Sequence, residues 1–313
     1  MTQKVEERLE ALRQLRNAKP DGPVIAALRK SLQDRSNLIV AEAAKITGSL
    51  HVTELVPDLL TAFARLFDNP VKTDPKCWAK TAIVTALTKL DYSSSAPFLR
   101  GSNHVQMEPV WGGQEDSAVQ LRATCILSLV QCDDVSRLHI LRRVTDAFTD
   151  PADPVRMEAA RALAQLGGDE ASLLLRLKAR VGDARPVVVA QVFDSLLALE
   201  PDAAMPFVAE FLSSANVEIR DEAALSLGGS RLPQAVDILK DAWKGNSDWE
   251  FGGVLLRALS SSRQPTAIDF LLEFVRSGTR REASQAMDAL KLHEDSPEIW
   301  ALVKAARANL NED

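Results

Sequence analysis

The stretch DPADPVRMEAARALAQLG, residues 150–167, carries the residue pattern that decides the fold. Within it an apolar residue is followed by arginine, by two small residues and by leucine, namely Val155, Arg156, Ala159, Ala160 and Leu163. Apolar side chains at this spacing fall on one face of an α-helix. Asp153, followed by proline, is typical of a helix start, and Gly167 is typical of a helix end. The stretch therefore predicts one short amphipathic helix with both ends marked.

The same order of residue types recurs along the chain. It is found again in SSANVEIRDEAALSLGG, residues 213–229, and in EDSAVQLRATCILSL, residues 115–129. The residues equivalent to the first apolar position are Ile39, Ala79, Leu121, Val155, Val188, Ile219, Phe251 and Thr279. Their separations run from 28 to 42 residues, a period typical of stacked helical repeats. We therefore expect eight units, each containing two helices.

A second regularity supports the alignment, because it was not used to place the units. An aspartate stands six residues before the arginine position in five of the eight units. These pairs are Asp34 with Val40, Asp74 with Lys80, Asp116 with Arg122, Asp150 with Arg156 and Asp183 with Val189. Acid–base pairs at this spacing would form charge-assisted hydrogen bonds between neighbouring units. We expect a structural ladder made of Asp116, Arg122, Asp150 and Arg156.

Two arginines at the same repeat position have no aspartate six residues earlier. They are Arg220 and Arg280. Because the aspartate of the paired position is missing, we expect these two side chains to be freer than the others to bind a partner.

The arrangement resembles HEAT repeats, including the HEAT-like units of bacterial phycobilisome-lyase-type proteins. The resemblance is carried by DPADPVRMEAARAL at 150–163, VEIRDEAALSL at 217–227 and RREASQAMDAL at 280–290. Two units depart from it, with Val189 and Gly252 in place of arginine. The resemblance implies an all-α fold, a right-handed α-solenoid of about eight HEAT-like helix pairs.

The expected organisation has three parts. Residues 1–20 would form an N-terminal capping helix, residues 21–295 the repeat array and residues 296–313 a C-terminal capping helix. A helix pair of this kind cannot bury its apolar stripe alone, so each unit must stack on its neighbours. The second helices would line a long concave face, which suits a polypeptide partner better than a small metabolite.

The composition narrows the classes of partner. The net charge of −6 and the pI of about 5.4 argue against broad binding to nucleic acid, although residues 1–50 carry nine basic and six acidic residues. Three cysteines without a CxxC motif are typical of reduced thiols in a cytosol. No apolar run approaches the length of a membrane span. A cytoplasmic location is expected, with no membrane association.

One segment, residues 101–116, breaks the helical pattern and forms a long loop within the third unit. Loops of this length in a compact repeat are usually functional or disordered. Two interpretations remain open. In the first, Phe98 and Trp111 fold inward and plug the core in place of a full helix. In the second, the loop is a binding edge made of Arg100, His104, Met107 and Trp111.

No sequence motif for catalysis or metal binding is present: HExxH, GxSxG and the phosphate-binding GxxxxGK[ST] are all missing. Deoxyhypusine hydroxylases, another helical-repeat family, build a di-iron site from repeated His-Glu pairs. This chain has a single such pair, His293-Glu294, so we expect neither a metal nor another cofactor.

The main hypothesis is a noncatalytic protein-binding scaffold or adaptor that uses the concave face and the loop. An alternative is a HEAT-like DNA glycosylase, which would need aromatic side chains and an aspartate around an extruded base. The candidates are Trp78, Trp249, Phe251 and Asp194, of which Trp78 and Phe251 are expected to face the core. A bilin-lyase-type protein, suggested by the repeat subtype, is a further alternative.

Overall fold

A computed structural model describes residues 3–308 and divides the chain into two compact units, Met1–Leu166 and Gly167–Asp313. The described residues contain nineteen α-helices and one two-stranded sheet. The predicted all-α repeat fold of eight helix pairs is confirmed. The predicted terminal helices extend to residues 1–2 and 309–313, which lie outside the described residues.

The first unit has a single N-terminal helix followed by four helix pairs. The helices are α1 (Gln3–Arg13), α2 (Gly22–Leu32), α3 (Asn37–Ser49), α4 (Val56–Arg65), the single turn α5 (Pro70–Thr73), α6 (Trp78–Lys89), α7 (Ala96–Ser102), α8 (Val119–Ser128), α9 (Arg137–Ala147) and α10 (Asp153–Leu166). The second helices of the pairs, α3, α6, α8 and α10, pack side by side in that order.

The second unit has four further pairs and a closing helix. The helices are α11 (Gly168–Val181), α12 (Pro186–Leu199), α13 (Pro201–Ala209), α14 (Val217–Gly229), α15 (Pro233–Lys244), α16 (Trp249–Ser261), α17 (Pro265–Ser277), α18 (Arg280–Leu290) and α19 (Pro297–Ala308). Here α12, α14, α16 and α18 pack side by side, and α19 packs on α17.

The small residues of the repeat pattern allow the second helices to approach closely. The buried ones include Ala159, Ala160, Ala223 and Ala224, with Leu163, Leu196 and Leu227 filling the space between helices. A Cβ atom added at Gly48 in α3 would lie 2.9 Å from the Cα of Ala86 in α6. One added at Gly228 in α14 would lie 2.1 Å from the carbonyl oxygen of Ala258 in α16. Only glycine fits at these two contacts without displacing backbone.

A β-hairpin occupies the segment predicted as an irregular loop. Strands β1 (Met107–Val110) and β2 (Gly113–Asp116) pair antiparallel, with Val110 opposite Gly113 and Met107 opposite Asp116. It stands between α7 and α8 in the third helix pair. They form the one β-sheet in residues 3–308.

Among the helices of residues 3–308, none combines the length and the apolar character needed to cross a bilayer.

Candidate protein-interaction site

The tip of the hairpin presents a tryptophan to solvent. The Trp111 side chain is fully exposed, at 102% of its reference area. Gly112 follows with φ of +88°, a left-handed backbone conformation that glycine adopts at no steric cost and that closes the turn. Phe98, by contrast, is completely buried in α7. The packing interpretation is therefore correct for Phe98 and wrong for Trp111.

Other apolar side chains of the hairpin are also exposed. Val105, Met107 and Val110 each expose more than two fifths of their area. Leaving so much apolar surface in water costs free energy that burial against another molecule would recover. Exposed apolar side chains of this kind, with a tryptophan among them, are typical of protein-binding surfaces.

The base of the hairpin is fixed by the buried side chain of Gln106. Its Nε2 donates to the carbonyl oxygen of Asp74 at 2.9 Å and to Oε1 of Glu108 at 2.7 Å. Its Oε1 accepts from the ammonium of Lys80 at 3.0 Å and from the thiol of Cys77 at 3.1 Å. One amide thus joins the hairpin to the loop that precedes α6.

Under Gln106 lies an ion pair with no exposure to solvent. The Lys80 ammonium is 3.2 Å from Oδ2 of Asp74, and both side chains are completely buried. The Asp74 carboxylate also accepts the backbone N–H groups of Ala79 and Lys80, each at 2.9 Å, and the Asn37 amide at 3.0 Å. Buried charges persist only when they are paired and hydrogen-bonded in this way.

Glu108 makes a second connection between the hairpin and the loop before α6. Its Oε1 accepts the Ser117 hydroxyl at 2.6 Å and the backbone N–H of Lys76 at 2.6 Å. Lys76 and Cys77 both have left-handed backbone, with φ of 62° and 52°. Since such angles are costly for residues other than glycine, the surrounding hydrogen bonds hold this segment in place.

The predicted ladder residues lie together where β2 ends. Arg122 donates to Asp116 at 2.6 Å and to both oxygens of the Asp150 carboxylate, at 2.8 and 3.0 Å. Arg156 donates to the backbone carbonyls of Asp150 and Pro151. Burial alone would raise the pKa of Asp116, but the hydrogen bonds from two backbone N–H groups and Arg122 outweigh it and the pKa lies below the usual value.

Arg100 and His104 meet at Phe67, not at the tip of the hairpin. The guanidinium of Arg100 stacks over the Phe67 ring at 3.9 Å, and the His104 ring meets its edge at 4.8 Å. Nε2 of His104 is 3.1 Å from Oε1 of Gln106, and burial lowers the pKa of His104. Of the four residues proposed as a binding edge, Met107 and Trp111 are exposed on the hairpin, whereas Arg100, although exposed, and the half-buried His104 stack on Phe67.

Arg220 is not free, contrary to expectation. It donates to Oδ2 of Asp248 at 2.9 Å and stacks over Phe251 at 4.0 Å. The acid comes from the start of the next second helix, 28 residues later, a spacing shared by Arg122 and Asp150. Arg280 is exposed at the start of α18, with no hydrogen bond or ion pair to any residue in 3–308.

The first unit contains a groove of about 610 Å³ on its second-helix side. It is lined by α1, α3, α6 and the loop before α6, with residues that include Leu9, Leu38, Ala41, Lys45, Lys76 and Trp78. The prediction that Trp78 faces the core is wrong, because 48% of its side chain is exposed. Phe251 is buried, as expected.

The second unit contains a groove of about 460 Å³ between α12 and α14. Its floor is made of small and apolar residues such as Ala190 and Leu225, and the charged residues that line it are Asp194 and Glu222. Burial raises the pKa of Glu222, and the neighbouring carboxylates raise it further.

The residues considered for a glycosylase site do not share one groove. Trp78 lies in the first unit, Asp194 lines the groove of the second unit, and Trp249 and Phe251 line a different pocket there. Within residues 3–308, no group of three or more His, Cys, Asp or Glu side chains is arranged to hold a metal ion.

Sequence reasoning did not identify Gln106 and Glu108, which hold the hairpin. The only signal was the alternation of polar and apolar residues in VQMEPV, residues 105–110, before a Gly pair. Pro109 weakened that signal because proline is rare within paired strands.

Profiles of two related repeat families match the sequence. The profile described as HEAT repeats matches residues 204–291, and the profile described as PBS lyase HEAT-like repeat matches residues 155–176. No curated protein matches the sequence significantly.

Several solved structures are similar along most of the chain. Human deoxyhypusine hydroxylase in complex with glycerol is 19% identical, covers 93% of this chain and 91% of its own, and gives a TM-score of 0.31. An engineered protein is 15% identical, with coverage of 99% and 96% and a TM-score of 0.36. A second engineered protein is 16% identical, with coverage of 89% and 96% and a TM-score of 0.24. Similarities at this level indicate no function for the chain.

Proposed function

We propose that this chain, which belongs to the HEAT-repeat proteins, is a noncatalytic protein-binding scaffold whose hairpin forms one edge of the binding surface. One observation carries the proposal: a fully exposed Trp111 stands on a hairpin whose base is anchored by buried hydrogen bonds. A rigid, exposed tryptophan can bind a partner with little loss of conformational entropy.

The rigidity of the base matters as much as the exposure of the tip. The Gln106 amide bonds and the Glu108 bonds hold both strands against the loop before α6. The hairpin does not need to become ordered when a partner arrives, so the binding free energy is not reduced by an ordering cost. Met107 and Val110, which lie on opposite faces of β1, add exposed apolar surface to the hairpin.

Trp111→Ala tests the proposal, with Leu138→Ala as a matched control. Leu138 is an exposed apolar residue of α9, outside the hairpin. A partner is captured from the source-cell lysate with the wild-type protein and purified, and its Kd is measured for all three proteins. We expect Trp111→Ala to raise the Kd about thirtyfold, as for a binding hot spot, and Leu138→Ala to leave it nearly unchanged.

The melting temperature separates binding from folding. Because Trp111 is fully exposed, Trp111→Ala should melt at the wild-type temperature. The proposal is rejected if no captured protein binds less tightly to Trp111→Ala than to Leu138→Ala.

A further inference from the structure

The groove of the first unit has an aromatic side chain that the fold does not cover. The Trp78 indole is about half exposed at the start of α6, and its neighbour Lys76 places its ammonium 5.4 Å from the ring centroid. Leu38 and Ala82 line the groove beside it. An apolar side chain of a bound molecule would be buried between the indole and these residues.

Three cations line the groove, of which Arg13 is paired with Glu10 at 3.4 Å and the other two are lysines. Lys45 and Lys76 are exposed, and no carboxylate of residues 3–308 lies within ion-pair distance of either ammonium. The acid of the groove, Glu42, is already neutralised, because its Oε1 accepts two hydrogen bonds from Arg16 at 2.6 and 2.9 Å. Two uncompensated positive charges therefore stand beside Trp78.

We propose that this groove binds an acidic segment of a protein partner, with an apolar side chain of the segment on Trp78 and its carboxylates at Lys45 and Lys76. The proposal rests on the proposed scaffold function, since it names the kind of partner. It commits to a polypeptide because both the apolar surface and the two cations would be used.

The arrangement favours a peptide over nucleic acid. A phosphate backbone is charged at every residue and binds through many cations, whereas this groove offers two that are uncompensated. Along the groove wall, α1 also exposes Glu6, Glu7 and Glu10, which would repel a uniform polyanion. A peptide can place its carboxylates at Lys45 and Lys76 and uncharged residues along α1.

The groove and the hairpin share one segment of chain. The backbone N–H of Lys76 donates to Glu108 in β1, and the side chain of Lys76 lines the groove. A partner seated in the groove would therefore lie next to the base of the hairpin, and one polypeptide could occupy both surfaces.

Selection from a displayed library of random peptides on the full-length chain tests the proposal. We expect enriched peptides that combine Asp or Glu with Leu, Phe or Trp, and whose affinity falls as salt rises. The double variant Lys45→Glu, Lys76→Glu should bind a selected peptide about tenfold or more weakly. Lys19→Glu, an exposed charge reversal outside the groove, is the matched control and should bind it as the wild type does.

Three results would overturn the proposal: enrichment of basic or uncharged peptides, no enrichment, or selected peptides that bind the double variant and the wild type equally. A single-stranded oligonucleotide that binds at Lys45 and Lys76 and displaces the selected peptide would replace it with a nucleic-acid site. The scaffold function is judged separately by Trp111→Ala, so the groove proposal can fail while the hairpin proposal stands.

Discussion

Lys80 in the first unit and Arg220 in the second occupy the same repeat position but have different surroundings. The Asp74–Lys80 pair is completely buried, at 3.2 Å. In the Arg220–Asp248 pair, at 2.9 Å, both side chains are partly exposed to solvent. The difference comes from the hairpin, which follows α7 in the next helix pair and places Gln106 over the ammonium of Lys80. At the equivalent place after α14, between α15 and α16, no comparable insertion is present.

The repeat motif thus specifies the position of a cation, but the burial of its ion pair depends on the segments that pack around it. A surface ion pair contributes little to stability, whereas a buried one makes each partner indispensable to the other. In the first unit an insertion converts a ladder pair into the anchor of a candidate binding element.

The largest expected effect comes from breaking the buried pair. Lys80→Met leaves the Asp74 carboxylate buried without its counter-charge, and we expect a loss of about 3–5 kcal/mol in the free energy of unfolding of the first unit. Arg220→Met should cost much less, because its pair is partly solvated. Urea denaturation followed by circular dichroism measures both, and equal losses would contradict the comparison.

A double variant refines this test. Asp74→Asn combined with Lys80→Met removes both charges, so it should recover part of the stability that Lys80→Met alone loses. If no stability is recovered, the hydrogen bonds that the Asp74 carboxylate accepts from backbone N–H groups contribute more to stability than its charge.

A smaller effect is expected at the amide that joins hairpin and ion pair. Gln106→Ala deprives the Lys80 ammonium and the Asp74 carbonyl of a partner, which should cost about 1–3 kcal/mol. In this variant, the backbone amides of β1 and β2 should exchange hydrogen faster than in the wild type, whereas those of α14 and α16 in the second unit should exchange at the wild-type rate. Unchanged exchange in the strands would show that Glu108 alone holds the hairpin.

The smallest effect concerns the acidic groove of the second unit. Burial and the nearby Asp194 raise the pKa of Glu222, so its ionised form opposes folding at neutral pH. Glu222→Gln should therefore increase stability at pH 7 by less than about 1 kcal/mol, since the group is only half-buried. The gain should vanish below the unfolded-state pKa of about 4.3, where the wild-type side chain is protonated. Melting curves at both pH values check the sign.

The sequence predicted the helices and their buried faces well, because apolar spacing and small residues are local signals. Ala159 and Leu163 are buried where the helical period requires. Thr279 was aligned as an apolar core position, but it is the N-cap of α18 and forms a capping box with Glu282. The pattern Thr-x-x-Glu was visible in the sequence and indicates a helix start.

The candidate site was harder to predict, because its contacts join distant parts of the chain. The partner of Arg220 comes from the next unit, and Gln106 becomes buried only once the hairpin packs against the loop before α6. The exposure of Trp78 depends on how α1 and α3 leave the groove open. No local sequence pattern encodes these contacts between distant segments of the chain.

Pro109 limits how the hairpin can be recognised. The backbone N–H of Ser117 donates to the carbonyl of Gln106, so hydrogen-bonded pairs alternate along the strands and residue 109 directs its backbone groups away from β2. Proline has no N–H to offer there, so an additional strand along β1 would lack a donor. The outer edge of β1 therefore resists sheet extension and aggregation, and a partner on that side would have to recognise side chains.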